Sequence, residues 1–167
     1  MKKLLSIFTL AALAVLTITL TSCSNTQTSN ATATTQPTQS SGIDYRNSKA
    51  EVVVLNFFDM YCTHCQKDAK YVNELHAMVQ SQGLGRKINF YGIGWNNTNL
   101  ETTMYRKRFH VTYPVVSDKN RSVSARFGKV SPPLIIALKK EGGQWKEFYR
   151  THKAKGKTNE IFSRIQP

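Results

Sequence analysis

Cys62 and Cys65, separated by Thr63 and His64, are the residues of this chain whose types and spacing best suit them to chemistry. A thiol reacts as its thiolate, which is stabilised by the unpaired N–H groups and the positive dipole end of a helix N-terminus. The local pattern predicts such a place. The apolar run Glu51 to Phe58 reads as a strand covered on both faces, and helical spacing begins at Cys62. The first cysteine of such a pair sits at the helix mouth and the second lies one turn in, more buried. Cys62 therefore reads as the nucleophile that attacks a disulfide, and Cys65 as the thiol that resolves the mixed disulfide. Run backwards, the pair donates its own disulfide. His64 stands where its charge can tune the Cys62 sulfur. The dithiol is itself the redox centre, so no diffusible cofactor is implied. A four-residue disulfide loop closes too little chain to stabilise a fold appreciably, which makes a purely structural pair a poor explanation.

Two other classes of function use the same residues. Soft thiolates favour Cu(I), with His110 and His152 as available imidazoles, but neither histidine stands in a ligand motif. Structural zinc lacks ligands, and haem attachment lacks a histidine after Cys65, where Gln66 stands. No metal site is expected. A non-enzymatic binding lipoprotein is the remaining alternative.

The elements that must position the pair follow from periodicity. A helix from Cys62 to about Ser81 carries Ala69, Val72, Leu75, Ala77 and Val79 toward one side, and Gly83 and Gly85 end it. Lys87 to Trp95 reads as a strand. Asn97 to His110 reads as a helix capped by Asn97 or Thr98, with Glu101 in its first turn. Val115-Val116 is extended and Arg121 to Phe127 a short helix. Leu134 to Leu138 and Gln144 to Arg150 form a hairpin across Glu141-Gly142-Gly143, and Lys157 to Ile165 closes as a helix. Strands alternating with helices and ending in a hairpin predict an α/β fold of three layers, with a mixed central sheet of about four to five strands.

The third cysteine has a different setting. Lys2 and Lys3, an apolar stretch from Leu4 to Leu20, and Leu20-Thr21-Ser22-Cys23 have the layout of a secretory leader. Its last four residues resemble a bacterial lipobox, which implies cleavage before Cys23 and lipidation of that residue. The expected organisation is a signal peptide at 1–22, a lipid-anchored Ser/Thr-rich tether at 23–42 and a folded domain at 43–167. Residues 24–42 are too polar to pack and would span about 24 Å as a flexible chain. Ser24 rather than Asp after the cysteine implies, by the same resemblance, the outer membrane of a Gram-negative cell rather than the inner one. Loss of the leader takes Lys2 and Lys3 from the 23 basic residues, leaving 21 against 10 acids, a charge of +11 on the exported domain. Outside the cytoplasm that charge suits anionic surfaces or acidic proteins better than nucleic acid, which is not expected as a partner. A monomer is expected.

The segment Asn56-Phe57-Phe58-Asp59-Met60-Tyr61-Cys62-Thr63-His64-Cys65-Gln66 resembles the active site of the thioredoxin superfamily. The stretch Phe127 to Ile136, with Pro132-Pro133, resembles its cis-proline segment, and Tyr113 to Asp118 resembles the insert of redoxin-type members. The resemblance covers about Val52 to Lys140. It implies a lipid-anchored thiol–disulfide oxidoreductase that exchanges disulfides with extracytoplasmic protein thiols. Pro133 would be the cis-proline, with Pro132 a second candidate, and Thr63, Pro132 and Tyr61 would line the substrate groove. A superfamily branch delivers copper, but with wider cysteine spacing. Peroxidases of the redoxin group carry Thr where this chain has Asp59. Many relatives have a buried acid at the position of Asn56, which cannot take up a proton. Asp59 is then a candidate proton acceptor for Cys65, while Asp68 stands where the reductase branch often has Glu. A tether at the outer membrane implies a soluble shuttle protein or a small thiol as redox partner, and the direction of electron flow is open.

Overall fold

The computed structural model describes residues 44–167. The leader, Cys23 and the tether lie outside the described residues. The elements are β1 (Val52–Phe58), α1 (Thr63–Ser81), β2 (Ile88–Trp95), α2 (Asn99–Arg108), β3 (Val115–Asp118), β4 (Leu134–Glu141), β5 (Gln144–His152) and α3 (Thr158–Arg164), with 3-10 turns at Tyr45–Asn47 and Ser124–Phe127.

The five strands form one mixed sheet in the order β3-β2-β1-β4-β5. β1 is central, parallel to β2 and antiparallel to β4, and all seven of its residues are buried. Burial on both faces is why its sequence is continuously apolar rather than alternating. The β1–β2–β3 progression steps one way across the sheet. Right-handed crossovers then put both α1 and α2 on the same face. α3 joins them, so one core holds Ala69, Val72 and Leu75 of α1, Tyr105 of α2 and Ile161 of α3 against Val54, Phe90 and Ile135. The opposite face is covered more thinly, by Tyr45, Val123, Phe127, Val130 and Trp145 over Leu55, Phe57 and Ile136.

Local chemistry fixes the ends. α1 closes in a Schellman motif: Leu84 N donates to Val79 O (3.0 Å), Gly83 N donates to Gln80 O (3.0 Å), and Gly83 takes φ +70°. Thr98, not Asn97, caps α2, in a reciprocal capping box with Glu101. Gly142 and Gly143, at φ +57° and +80°, make the two-residue turn between β4 and β5. The helix expected over 121–127 is a 3-10 turn. The Asp118 carboxylate accepts from Val123 N and Ser124 N (both 2.9 Å), and Gly128 at φ +66° ends the turn. Ala77 is exposed, because two residues on from Leu75 it has rotated off the inner stripe.

α2 seats on β2 through Gly94. A methyl at this position would overlap the side-chain methyl of Thr102 and press within 3.2 Å of the Asn97 Cβ. Thr102 is buried and β-branched, so it cannot swing aside. Gly94→Ala is expected to cost about 1–3 kcal/mol through overpacking, read as a lowered urea midpoint at constant slope. An unchanged midpoint would show that α2 yields freely.

Candidate active site

β1 ends at Phe58, and the turn that follows is clamped before α1 begins. Cys62 N donates to Asp59 O (3.1 Å). Tyr61 N donates to Asp59 Oδ1 (3.1 Å). Asn97, at the far end of β2, accepts from Met60 N through Oδ1 (2.9 Å) and donates through Nδ2 to Asp59 Oδ1 (3.1 Å). Gln66 Nε2 closes the clamp on Met60 O at 2.8 Å.

Cys62 is the N-cap of α1. Its backbone is extended, and its Sγ accepts from Cys65 N at 3.3 Å. Sγ occupies the place where a capping oxygen would normally sit and takes an N–H of the first turn in its stead. Cys62 is half-buried, and its Sγ lies 4.0 Å from the Pro132 carbonyl oxygen. The cis peptide bond among the described residues joins Pro132 to Pro133. Cys65 is 1% exposed. Burial pushes its thiol well above the ordinary range, and the hydrogen bond with Cys62 pushes it further. Both cysteines are free thiols. Tyr105 OH donates to the Cys65 carbonyl at 2.9 Å while its ring stacks on Phe58, with centroids 3.9 Å apart.

Behind Cys65 lies a small cavity of about 140 Å³, lined by Asn56, Phe58, Cys65, Asp68, Tyr105 and Pro133 among others and too tight to hold a water. Asp68 is the acid that faces it. It stands three residues after Cys65, on the same side of α1. It is 3% exposed, and burial raises its carboxyl above the usual carboxylate value, partly countered by hydrogen bonds from the backbone of Ala154 and Lys155. Ala154 N donates to both oxygens (2.9 and 2.8 Å), and Lys155 N donates to Oδ1 (2.8 Å). Asp59, the acceptor named above, is also close to the Cys65 thiol, with its Oδ1 engaged by Tyr61 N and Asn97 Nδ2, but unlike Asp68 it does not line this cavity. Asn56 is tied off as well, its Nδ2 donating to Tyr113 OH at 2.9 Å.

The remaining site residues divide by position. His64 is exposed and shares a cleft with Pro133. Thr63 is exposed on the first turn of α1. Tyr61 is 71% exposed, its OH donating to Glu101 Oε1 at 2.8 Å, so it stands at the edge of the site rather than in its floor. His152 joins the site from β5, with Nδ1 3.2 Å from Pro133 O. His110 is exposed at the far end of α2, and among the described residues no three His, Cys, Asp or Glu side chains are placed to hold a metal ion. Sequence reasoning missed Tyr105, the clamp role of Asn97, and the 153–155 loop. Only Asp68 left a local signal, in its i+3 spacing from Cys65.

The AhpC/TSA family model matches residues 25–154, most of the chain. The chain belongs to the AhpC/TSA family. It is similar to the thiol-disulfide oxidoreductase ResA of Bacillus thuringiensis subsp. konkukian, 23% identical over 125 residues, covering 75% of this chain and 69% of that one. It is also similar to ResA of Geobacillus thermodenitrificans, 31% identical over 99 residues, or 59% of this chain and 53% of the relative. Among solved structures, the thioredoxin domain of a thiol-disulfide oxidoreductase from Bacteroides vulgatus matches with a TM-score of 0.57 at 15% identity, over 71% of this chain and 81% of that one. StoA from Bacillus subtilis matches with a TM-score of 0.51 at 15% identity, over 69% and 85%. At such identities the likeness is one of fold. This AhpC/TSA member has the thioredoxin-like α/β architecture of the redoxin type that its sequence resembles.

Proposed function

We propose that this AhpC/TSA member is a thiol–disulfide oxidoreductase that exchanges disulfides with extracytoplasmic proteins through Cys62 and Cys65. One observation carries the assignment to this pair: Cys62 Sγ caps α1 at the groove beside Pro132, with Cys65 buried directly behind it.

In the reducing direction, the Cys62 thiolate attacks one sulfur of a target disulfide. A Cys62–target S–S bond forms, and the other target sulfur leaves as a thiolate. Cys65 must then lose its proton inside the fold. Asp68 lines the same waterless cavity, and its raised carboxyl is a better acceptor at neutral pH than a solvated one. The Cys65 thiolate attacks Cys62 Sγ, closes the Cys62–Cys65 disulfide and releases the second target thiolate, so two electrons pass to the target. The reverse sequence oxidises a dithiol. The target chain lies along the Pro132 carbonyl, with His64 and Thr63 on its flank.

The working place is outside the cytoplasm. The leader pattern supports this, and a structural match is described as a secreted Mycobacterium tuberculosis disulfide oxidoreductase. No helix among the described residues is long and apolar enough to cross a membrane. The lipobox-like pattern supports attachment through lipid on Cys23, with the outer membrane as its site and a soluble shuttle or small thiol as redox partner.

The test is insulin reduction together with the reduction potential of the pair. Stoichiometric reaction of Cys62 with a disulfide reagent, followed by release through Cys65, is the expected result. A Cys62 inert to such reagents would remove the assignment. Mass measurement of the membrane-extracted protein reads the lipid on Cys23 separately.

A further inference from the structure

A cleft of about 500 Å³ opens between His64, which stands between the two cysteines in sequence, and Pro133, and is rimmed by Lys67, His152, Lys153 and Lys155. Its only acid is Asp68, and both carboxylate oxygens of Asp68 are spent on the backbone of residues 154 and 155. The three ammonium groups outnumber this one carboxylate, which acts on Lys153 through space but forms no ion pair with any of them. Among the described residues, the ion pairs are Asp44–Arg46, Glu51–Lys87, Glu141–Lys146 and Glu147–Arg150, all outside the cleft.

The rim is also held in place. Lys153 takes φ +53°, a left-handed conformation uncommon for a residue with a side chain, and this turns the next two N–H groups onto Asp68. His152 Nδ1 and Lys153 N both reach Pro133 O, at 3.2 and 3.4 Å. The lysine stems of residues 153 and 155 thus start from a loop pinned on Pro133, the residue after the Pro132 carbonyl that faces Cys62 Sγ. A polypeptide whose cysteine sits at Cys62 and whose chain runs past His64 and Pro133 meets five basic side chains.

We infer that this cleft selects its substrates by charge: it takes disulfides of protein segments whose cysteine is flanked by Asp or Glu, and disfavours those flanked by Lys or Arg. This preference presupposes the exchange chemistry proposed above and adds the class of target. Solvent screens each contact, so no single lysine dominates. Three exposed pairs acting together correspond to about a tenfold preference at low salt.

The test uses the full chain and three peptide disulfides that differ only in having Glu, Gln or Lys on both sides of the cysteine. The expected order of kcat/KM is Glu over Gln over Lys, with about tenfold between Glu and Gln, collapsing toward unity in about 1 M salt. Lys67→Glu/Lys153→Glu/Lys155→Glu should invert the Glu-to-Lys ratio. If that variant fails to fold, the salt dependence of the parent still decides. Rates for the three peptides within twofold at low salt would overturn the charge preference while leaving the oxidoreductase in place. No reaction with any of them would overturn both.

Discussion

A Cys65→Ser variant accumulates as a stable mixed disulfide between Cys62 and its target, and its multiple turnover falls by at least ~10³-fold. The first step survives because the Cys65 thiol's hydrogen bond to Cys62 is one that a serine hydroxyl can supply. The N-cap contact to Cys62 Sγ comes from the Cys65 backbone N–H, which serine keeps. The second step fails because the resolving thiol is an intramolecular reactant held within one helical turn. An external thiol at millimolar concentration is a poor substitute for that effective concentration. Cys62→Ser gives the opposite phenotype: no mixed disulfide and no turnover. Non-reducing electrophoresis with mass spectrometry of the adduct reads both. Trapping through residue 65 in a Cys62→Ser background would reverse the assigned roles.

The second large effect belongs to Asp68. Asp68→Asn keeps an oxygen for the N–H groups of Ala154 and Lys155 but cannot take a proton. In single-turnover experiments at neutral pH, attack by Cys62 should be unchanged while resolution slows by about 10²-fold or more, the usual scale of a lost general base. The mixed disulfide then becomes visible transiently, and raising the pH restores the rate as hydroxide takes over. Stability carries an independent signature. Burial raises the Asp68 carboxyl above its ordinary 3.8, so the folded chain holds this proton more tightly than the unfolded chain does. Its contribution to stability therefore falls as pH rises from about 3.8 through the raised folded value, and is constant above it. Relative to Asp68→Asn, the parent should lose stability across that window, measured as urea midpoints. Asp68→Leu separates the two roles. It leaves two buried N–H groups unpaired, at about 1–3 kcal/mol each, and should be plainly destabilised where the Asn variant is not. Equal resolution rates in parent and Asn variant would show that the Cys65 proton leaves by another route.

What could be read from the sequence was what is local. The β1 run, the helix opening at Cys62, the Gly142-Gly143 turn and the Thr98–Glu101 box are each decided by a few neighbouring residues, and each stands where the pattern put it. The thinner face of the sheet was not legible. The 121–127 stretch looks helical, but its turn is set by the Asp118 carboxylate accepting from two backbone N–H groups. In the site, Cys62 and Cys65 announce themselves by spacing and the proline pair by composition. Asn97 reads as a cap and is in fact a clamp on Asp59 and Met60, because β2 ends beside the redox turn. Tyr105 lies 40 residues from the carbonyl it binds, and two of the cleft's three lysines, Lys153 and Lys155, arrive from beyond β5. Nothing in a one-dimensional pattern joins such positions.

The link between Asp68 and Ala154 spans 86 residues. It orders events during the birth of the protein. The cap at Cys62 needs only its own turn of helix and can form as soon as that stretch is free to fold. The acid behind Cys65 remains a solvated, ordinary carboxylate until the last strand and its following loop have docked, a closure that long-range contacts make slow. A partly folded chain thus carries a sulfur that can be captured before it carries the means to let go. Competence to turn over arrives with the C-terminal segment, so a chain cut short before Ala154 would behave as a trap rather than as a weakened catalyst.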